Sequence, residues 1–253
     1  MLALMHPRMS RKLIKFFLIL LAIQTLIALV LFLFLTPYGT AAHGIIGMGL
    51  GLILFWNVIG GYIQWKIRDR VKAAWQAVRL DWRLKFGILA TIMALLEEMV
   101  TVTMTNLSFL FGTTPAVAHI TVSTNYLDVV LTNSVVLFVP MFFIWALILS
   151  RYDFSPNAVL LLWGTTGTLM EAGYGGANQV IGIGMWMFVY GLMIYLPAYS
   201  MPSAAERGAL RQPRWWHYVL SVFVPPIVGI VPGGLLGTFF KFIRPPHYLP
   251  GVK

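Results

Sequence analysis

The chain has 253 residues, 59% of them hydrophobic and only 10% charged, with a mean hydropathy of +0.81. That profile excludes an ordinary soluble domain and points to an all-α, polytopic membrane protein, a single transmembrane domain over 1–253, because no polar run is long enough to build a second core. The formal charge of +10 sits beside the apolar runs, so membrane topology explains it and nucleic acid is not an expected partner; the lack of cysteine excludes disulfides, thiolate nucleophiles and Cys-ligated metals.

Arg8, Arg11, Lys12 and Lys15 precede an apolar run. They predict a first span over 16–36 with its N-terminus in the cytoplasm, the protein being multi-pass in the cell membrane. The uncharged link TPYGTAAH leads to a second span over 42–64. Its glycines, Gly47, Gly49, Gly51, Gly60 and Gly61, predict close helix packing, and Asn57 predicts an interhelical hydrogen bond. Seven basic residues follow between Lys66 and Lys85, with Ile67, Val71, Ala74, Trp75, Val78 and Trp82 at helical spacing. This predicts an amphipathic helix over 66–85 in the cytoplasmic interface, its basic face toward anionic headgroups.

The third span, 86–111, is long and apolar enough to cross a bilayer yet carries Glu97 and Glu98. By the helical rise they sit about 17 Å in, near the centre of a hydrocarbon core about 30 Å thick. Charge at that depth costs several kcal/mol unless it is paired, protonated or wetted, so the pair is a candidate site. Thr101 and Thr105 extend the polar face at helical spacing and Asn106 follows them. The loop 112–128 has no basic residue, which marks the non-cytoplasmic side. It holds His119 and Asp128, which with a glutamate are candidate metal ligands, although no HExxH or comparable spacing accompanies them.

The fourth span, 129–149, has Asn133 near its outer end and Pro140, which predicts a kink. Ser155 and Pro156 read as the N-cap and first position of a fifth span over 156–175, in which Gly164, Thr168, Glu171 and Gly175 share one face. A sixth span over 180–199 returns to a loop marked by Arg207, Arg211 and Arg214. The last apolar segment, 216–240, is interrupted by Pro225, Pro226, Pro232, Gly233 and Gly234. It either crosses once or forms a broken, re-entrant segment, giving six or seven spans in all.

Alternation of the spans places Glu97 and Glu98 at mid-depth and Glu171 and Asn133 in the outer half of one bundle, with Thr101, Thr105 and Asn106 as further candidate ligands. Carboxylates placed together cannot all carry charge cheaply, which suits a site that binds a cation or relays protons. The expected function is transport or conduction of a small solute, cation or proton through a carboxylate-lined cavity open to the non-cytoplasmic side. A structural or assembly subunit, with a membrane-protein partner or a second copy packed on the acids, is the alternative. An intramembrane hydrolase is a third reading. Its Glu97-Glu98 pair resembles that of the CAAX prenyl protease and bacteriocin-processing family, but no arginine follows it shortly and no histidine occurs between His119 and His217, so the family's activity is not carried over. Haem, nucleotide and retinal are not expected, because the histidines sit at helix ends, no phosphate loop is present and no lysine lies centrally in a span.

Overall fold

The computed structural model describes residues 7–208 and 210–250; the side chain of Arg8, named above in the basic flank, lies outside that description. Nine α-helices run through the described residues, with no strand among them. Helix α1 (Pro7–Val30) ends in a π-helical turn, Leu31–Leu35. Helix α2 (Ala41–Leu52) runs through a π-helical stretch, Ile53–Gly60, directly into α3 (Gly61–Ala77). After a short turn come α4 (Trp82–Asn106), α5 (Tyr126–Thr132), α6 (Ser134–Leu149), α7 (Pro156–Gly175), α8 (Ile183–Ser200) and α9 (Trp215–Ile243). Local chemistry sets several of these starts: the side chains of Thr40, Asp81, Asn125 and Ser155 accept the backbone N–H groups of His43, Arg83, Leu127 and Ala158.

Five helical stretches are long and apolar enough to cross a membrane, and a sixth if α5 and α6 count as one bent span. Helix α7 is not among them, so the expected six or seven reaches six only at the upper count. Its second half, GTTGTLMEAGYG, interrupts the apolar run with glycines, threonines and Glu171, and the helix packs against α1, α8 and α9.

Three other expectations are corrected. The segment 66–85 is not one helix: α3 carries the line of α2 onward to Ala77, and Asp81 caps a new helix at Trp82. Lys85 closes this turn, its ammonium donating to Trp75 O and Val78 O at 3.1 Å each, while Trp75 Nε1 donates to Lys85 O at 3.1 Å. The fourth apolar segment is not one helix: it breaks at Asn133, where α5 and α6 meet at 41°, and Pro140 lies inside α6. Finally, α9 is one unbroken helix of 29 residues through Pro225, Pro226 and Pro232, with no re-entrant turn.

The core gathers Phe86, Phe138, Phe142, Trp145, Phe154, Trp163 and Met193 from α4, α6, α7, α8 and the turn before α7. Helix α4 packs on both α6 and α8, and α7 and α8 form a tight antiparallel pair. The expected hydrogen bond of Asn57 is present, from Nδ2 to Met185 O at 3.3 Å, and the adjacent Trp56 donates to Val189 O at 2.9 Å.

The start of α1, the end of α3 and the starts of α4, α7 and α9 lie at one end, which carries most of the lysines and arginines. There Arg207 donates to Leu149 O at 2.7 Å and to Asp153 Oδ1 at 3.0 Å, tying the loop after α8 to the α6–α7 turn. Helix α9 carries the chain to the opposite end. There the tail folds over the loop before α5: Leu249 N donates to Val122 O at 2.8 Å, and the buried Asp128 accepts from His247 N at 2.9 Å and faces Arg244 at 3.4 Å.

Candidate functional site

Glu97 and Glu98 project from α4 where it is enclosed by neighbouring helices, and both are buried. Trp82 and Pro156 start their helices at the same end, and Glu97 and Glu171 each stand about 22 Å from those starts by the helical rise. The two helices therefore deliver carboxylates at matching depth. Glu171 lies near enough to Glu97 and Glu98 to interact with both electrostatically.

Helix α8 supplies the link. Small residues let α7 approach it: a Cβ on Gly191 would meet Leu160 O at 3.0 Å, and Gly164 packs on Met187 in the same way. This sets Tyr190 beside Glu171, and its hydroxyl donates to Glu171 Oε1. The Tyr190 ring stands edge-on to Phe138 at 5.9 Å, which fixes its direction.

On the α4 side, Thr101 Oγ1 donates to Glu98 Oε2 at 3.1 Å. The buried hydroxyl of Ser134 also faces the Glu98 carboxyl, although without a well-formed hydrogen bond. Tyr126, whose hydroxyl donates to Leu95 O at 2.9 Å, stands close to the same carboxyl. The Glu97 side chain accepts no hydrogen bond among the described residues, although it is only 4% exposed. No lysine, arginine or histidine among them forms an ion pair with Glu97, Glu98 or Glu171; the four ion pairs involve Asp81, Asp128 and Asp153.

The sequence-predicted residues divide into two groups. Glu97, Glu98, Thr101 and Glu171 come together, while Asn133 marks the break that presents its neighbour Ser134. Thr105 and Asn106 hold the loop between α4 and α5 instead. Thr121 Oγ1 donates to Thr105 Oγ1 at 3.0 Å, and Asn106 Nδ2 donates to Thr124 O at 3.0 Å. His119 and Asp128 serve separate partners: His119 Nδ1 bonds Pro115 O at 2.9 Å, whereas Asp128 faces the C-terminal tail. Among the described residues no three His, Cys, Asp or Glu groups are placed to hold a metal ion.

Sequence reasoning missed Tyr190 and Ser134. Tyr190 had a usable signal: it lies 19 residues after Glu171, and the glycine-rich turn sits midway between them, so an antiparallel α7–α8 pair brings the two level. Two cavities lie at the basic end, and the glutamates line neither of them.

Glu171 is partly exposed and Glu97 and Glu98 are not, so the acids grade inward from the surface. Chemically, the arrangement offers carboxyl oxygens and the hydroxyls of Thr101, Tyr190 and Ser134 to protons; the three carboxyls interact electrostatically but do not form one ligand set for a metal ion. No protein-family model, curated protein or solved structure matches the chain.

Proposed function

We propose that the chain is an integral protein of the cell membrane, with a cytoplasmic N-terminus, that moves a small cation or protons by way of Glu97, Glu98 and Glu171. The observation that carries this reading is the convergence of three carboxyl groups from two helices with hydroxyl donors and no basic partner among the described residues. Buried acids without a counter-charge need a proton or a bound cation to balance them, and a site that exchanges those is a step in transport. The apolar helices support the membrane placement, and the basic end supports a cytoplasmic face toward anionic lipid. Glu171 is the entry group on the opposite side, and Glu98 with Glu97 is the inner station.

Reconstitution tests this. Liposomes carrying the wild-type protein and an internal pH dye or cation dye should show flux when a gradient is imposed. Glu98→Gln and Glu171→Gln preserve size and most hydrogen bonding, so each should lower flux at least tenfold while the melting temperature in detergent stays close to wild type. Flux unchanged in both variants, or no flux above empty liposomes with any of H⁺, Na⁺ or K⁺, would sink the proposal. The second outcome favours the other reading, a structural or assembly subunit. Its specific support is that Glu97 and Glu98 are buried between helices, as acids packed inside a scaffold would be.

A further inference from the structure

At the basic end, α1, α3, α7 and α8 enclose a cavity of about 500 Å³, walled by Arg11, Arg68, Asn157, Tyr195 and Tyr199. Arg68 Nη1 donates to Tyr195 Oη at 3.1 Å, and its guanidinium lies 5.0 Å from the centre of the Tyr199 ring. Its Nε is buried with no hydrogen-bond partner. Arg11 is exposed, and neither arginine forms an ion pair among the described residues. Asp69, on the same helix as Arg68, is engaged by Tyr199 Oη at 2.6 Å. Helix α7 starts in the wall. Ser155 caps Ala158 N, whereas the N–H of Asn157 is one of the donors that a helix start leaves unpaired.

We infer that this cavity binds a phosphate group, carried by an anionic phospholipid headgroup or by a soluble phosphate. Two arginines that line one cavity and form no ion pair among the described residues, with a helix start and a phenol beside them, suit a tetrahedral oxyanion. Arginine presents a planar fork that pairs with phosphate oxygens two at a time, and the helix start adds partial positive charge and an N–H. The site is distinct from the glutamate cluster and does not depend on what that cluster moves. The lipid source rests on the membrane reading, while the soluble source does not.

The test uses the purified full chain in a neutral detergent. It is titrated with phosphatidylglycerol, with phosphatidylcholine of the same acyl chains, and with inorganic phosphate against chloride at equal ionic strength. Lipid binding is read by native mass spectrometry and phosphate binding by the shift in melting temperature. Saturable phosphatidylglycerol binding, at least tenfold tighter than phosphatidylcholine, assigns the headgroup; a saturable rise in melting temperature with phosphate but not chloride assigns the soluble ion. In either case Arg11→Gln and Arg68→Gln should each weaken binding at least threefold and together at least tenfold. Lys15→Gln, also exposed on α1 but outside the cavity wall, should change it less than twofold. Arg11 is exposed, so its variant remains informative even if Arg68→Gln fails to fold. The inference is overturned if neither probe saturates, if Lys15→Gln weakens binding as much as Arg11→Gln, or if the folded double variant binds like wild type. Failure of the membrane reading shows separately, as protein that does not float with lipid vesicles.

Discussion

Thr166 Oγ1 on α7 donates a 2.9 Å hydrogen bond to Val222 O on α9, the carbonyl four residues before Pro226. A proline has no N–H, so it leaves that carbonyl without its helical donor, and a neighbouring hydroxyl replaces the missing bond. Replacing Thr166 with Val keeps the shape and removes the donor. The expected loss is about 1 kcal/mol, with an upper bound of about 3 if the carbonyl is left dry. Thermal melting in detergent checks it: Thr166→Ser should stay near wild type, and a Thr166→Val melting curve that overlays wild type would remove the hydroxyl from any account of how α9 passes Pro226.

A second device packs α9 closely against α6. Gly229, Gly233 and Gly237 fall every fourth residue on the face that packs on α6; a Cβ on Gly233 would come within 2.8 Å of Leu137 Cα and 3.1 Å of Leu137 O. Gly234, one residue on, has open space around it. The same substitution should therefore act in opposite directions. Gly233→Ala must push two backbones apart and should lower the melting temperature, whereas Gly234→Ala gains helix propensity of up to about 1 kcal/mol and should leave it unchanged or raise it. Equal effects at the two positions would mean that the α6–α9 contact is looser than the geometry requires.

These two devices explain which parts of the fold could be read from residues alone. Apolar length and helical spacing carry the helices and the depth of Glu97, Glu98 and Glu171, because each is a property of a single segment. The course of α9 is not such a property. Its prolines are visible in the sequence, but the donor that offsets one of them sits 56 residues away on α7. The same holds for Ser134 and Tyr190, whose place beside the acids depends on a break at Asn133 and on glycine-set helix approach. The turn at Asp81 was legible in principle as an N-cap, but the run of basic residues around it matched an interfacial helix equally well.

Asp128 should govern the tail at the end opposite the N-terminus. Its carboxylate accepts from His247 N at 2.9 Å, lies 3.4 Å from both Arg244 Nε and Ser123 Oγ, and is fully buried. Asp128→Asn removes the charge that these donors share, and hydrogen bonds to a charged group are worth about 1.5–3 kcal/mol, less here because Arg244 is 43% exposed. Hydrogen–deuterium exchange should show faster labelling at residues 244–250, including the Leu249 N–H that bonds Val122 O, with little change along α4. Unchanged tail exchange would mean that the other tail bonds, Tyr248 with Thr132 at 2.9 Å, Ser123 Oγ to His247 O at 2.7 Å and Leu249 N to Val122 O at 2.8 Å, hold the segment without the carboxylate.

The loop after α8 should respond to pH through Glu206. Its carboxylate accepts the side-chain hydroxyl and the backbone N–H of Ser203, each at 2.7 Å, and these bonds hold its pKa below the ordinary carboxylate value. A folded pKa below the unfolded one means that the turn's stabilisation is fully present above the ordinary value of about 4.3 and is lost as pH falls through the lowered value. Between pH 6 and pH 3 the protection of the Ser203 amide, corrected for the intrinsic pH dependence of exchange, should therefore drop. Glu206→Gln cannot titrate, so its Ser203 protection should be lower at pH 6 and nearly flat over the same range. A wild-type profile as flat as that of the variant would show that the turn is held by the bonds of Arg207 to Pro202 O and Leu149 O and not by the carboxylate.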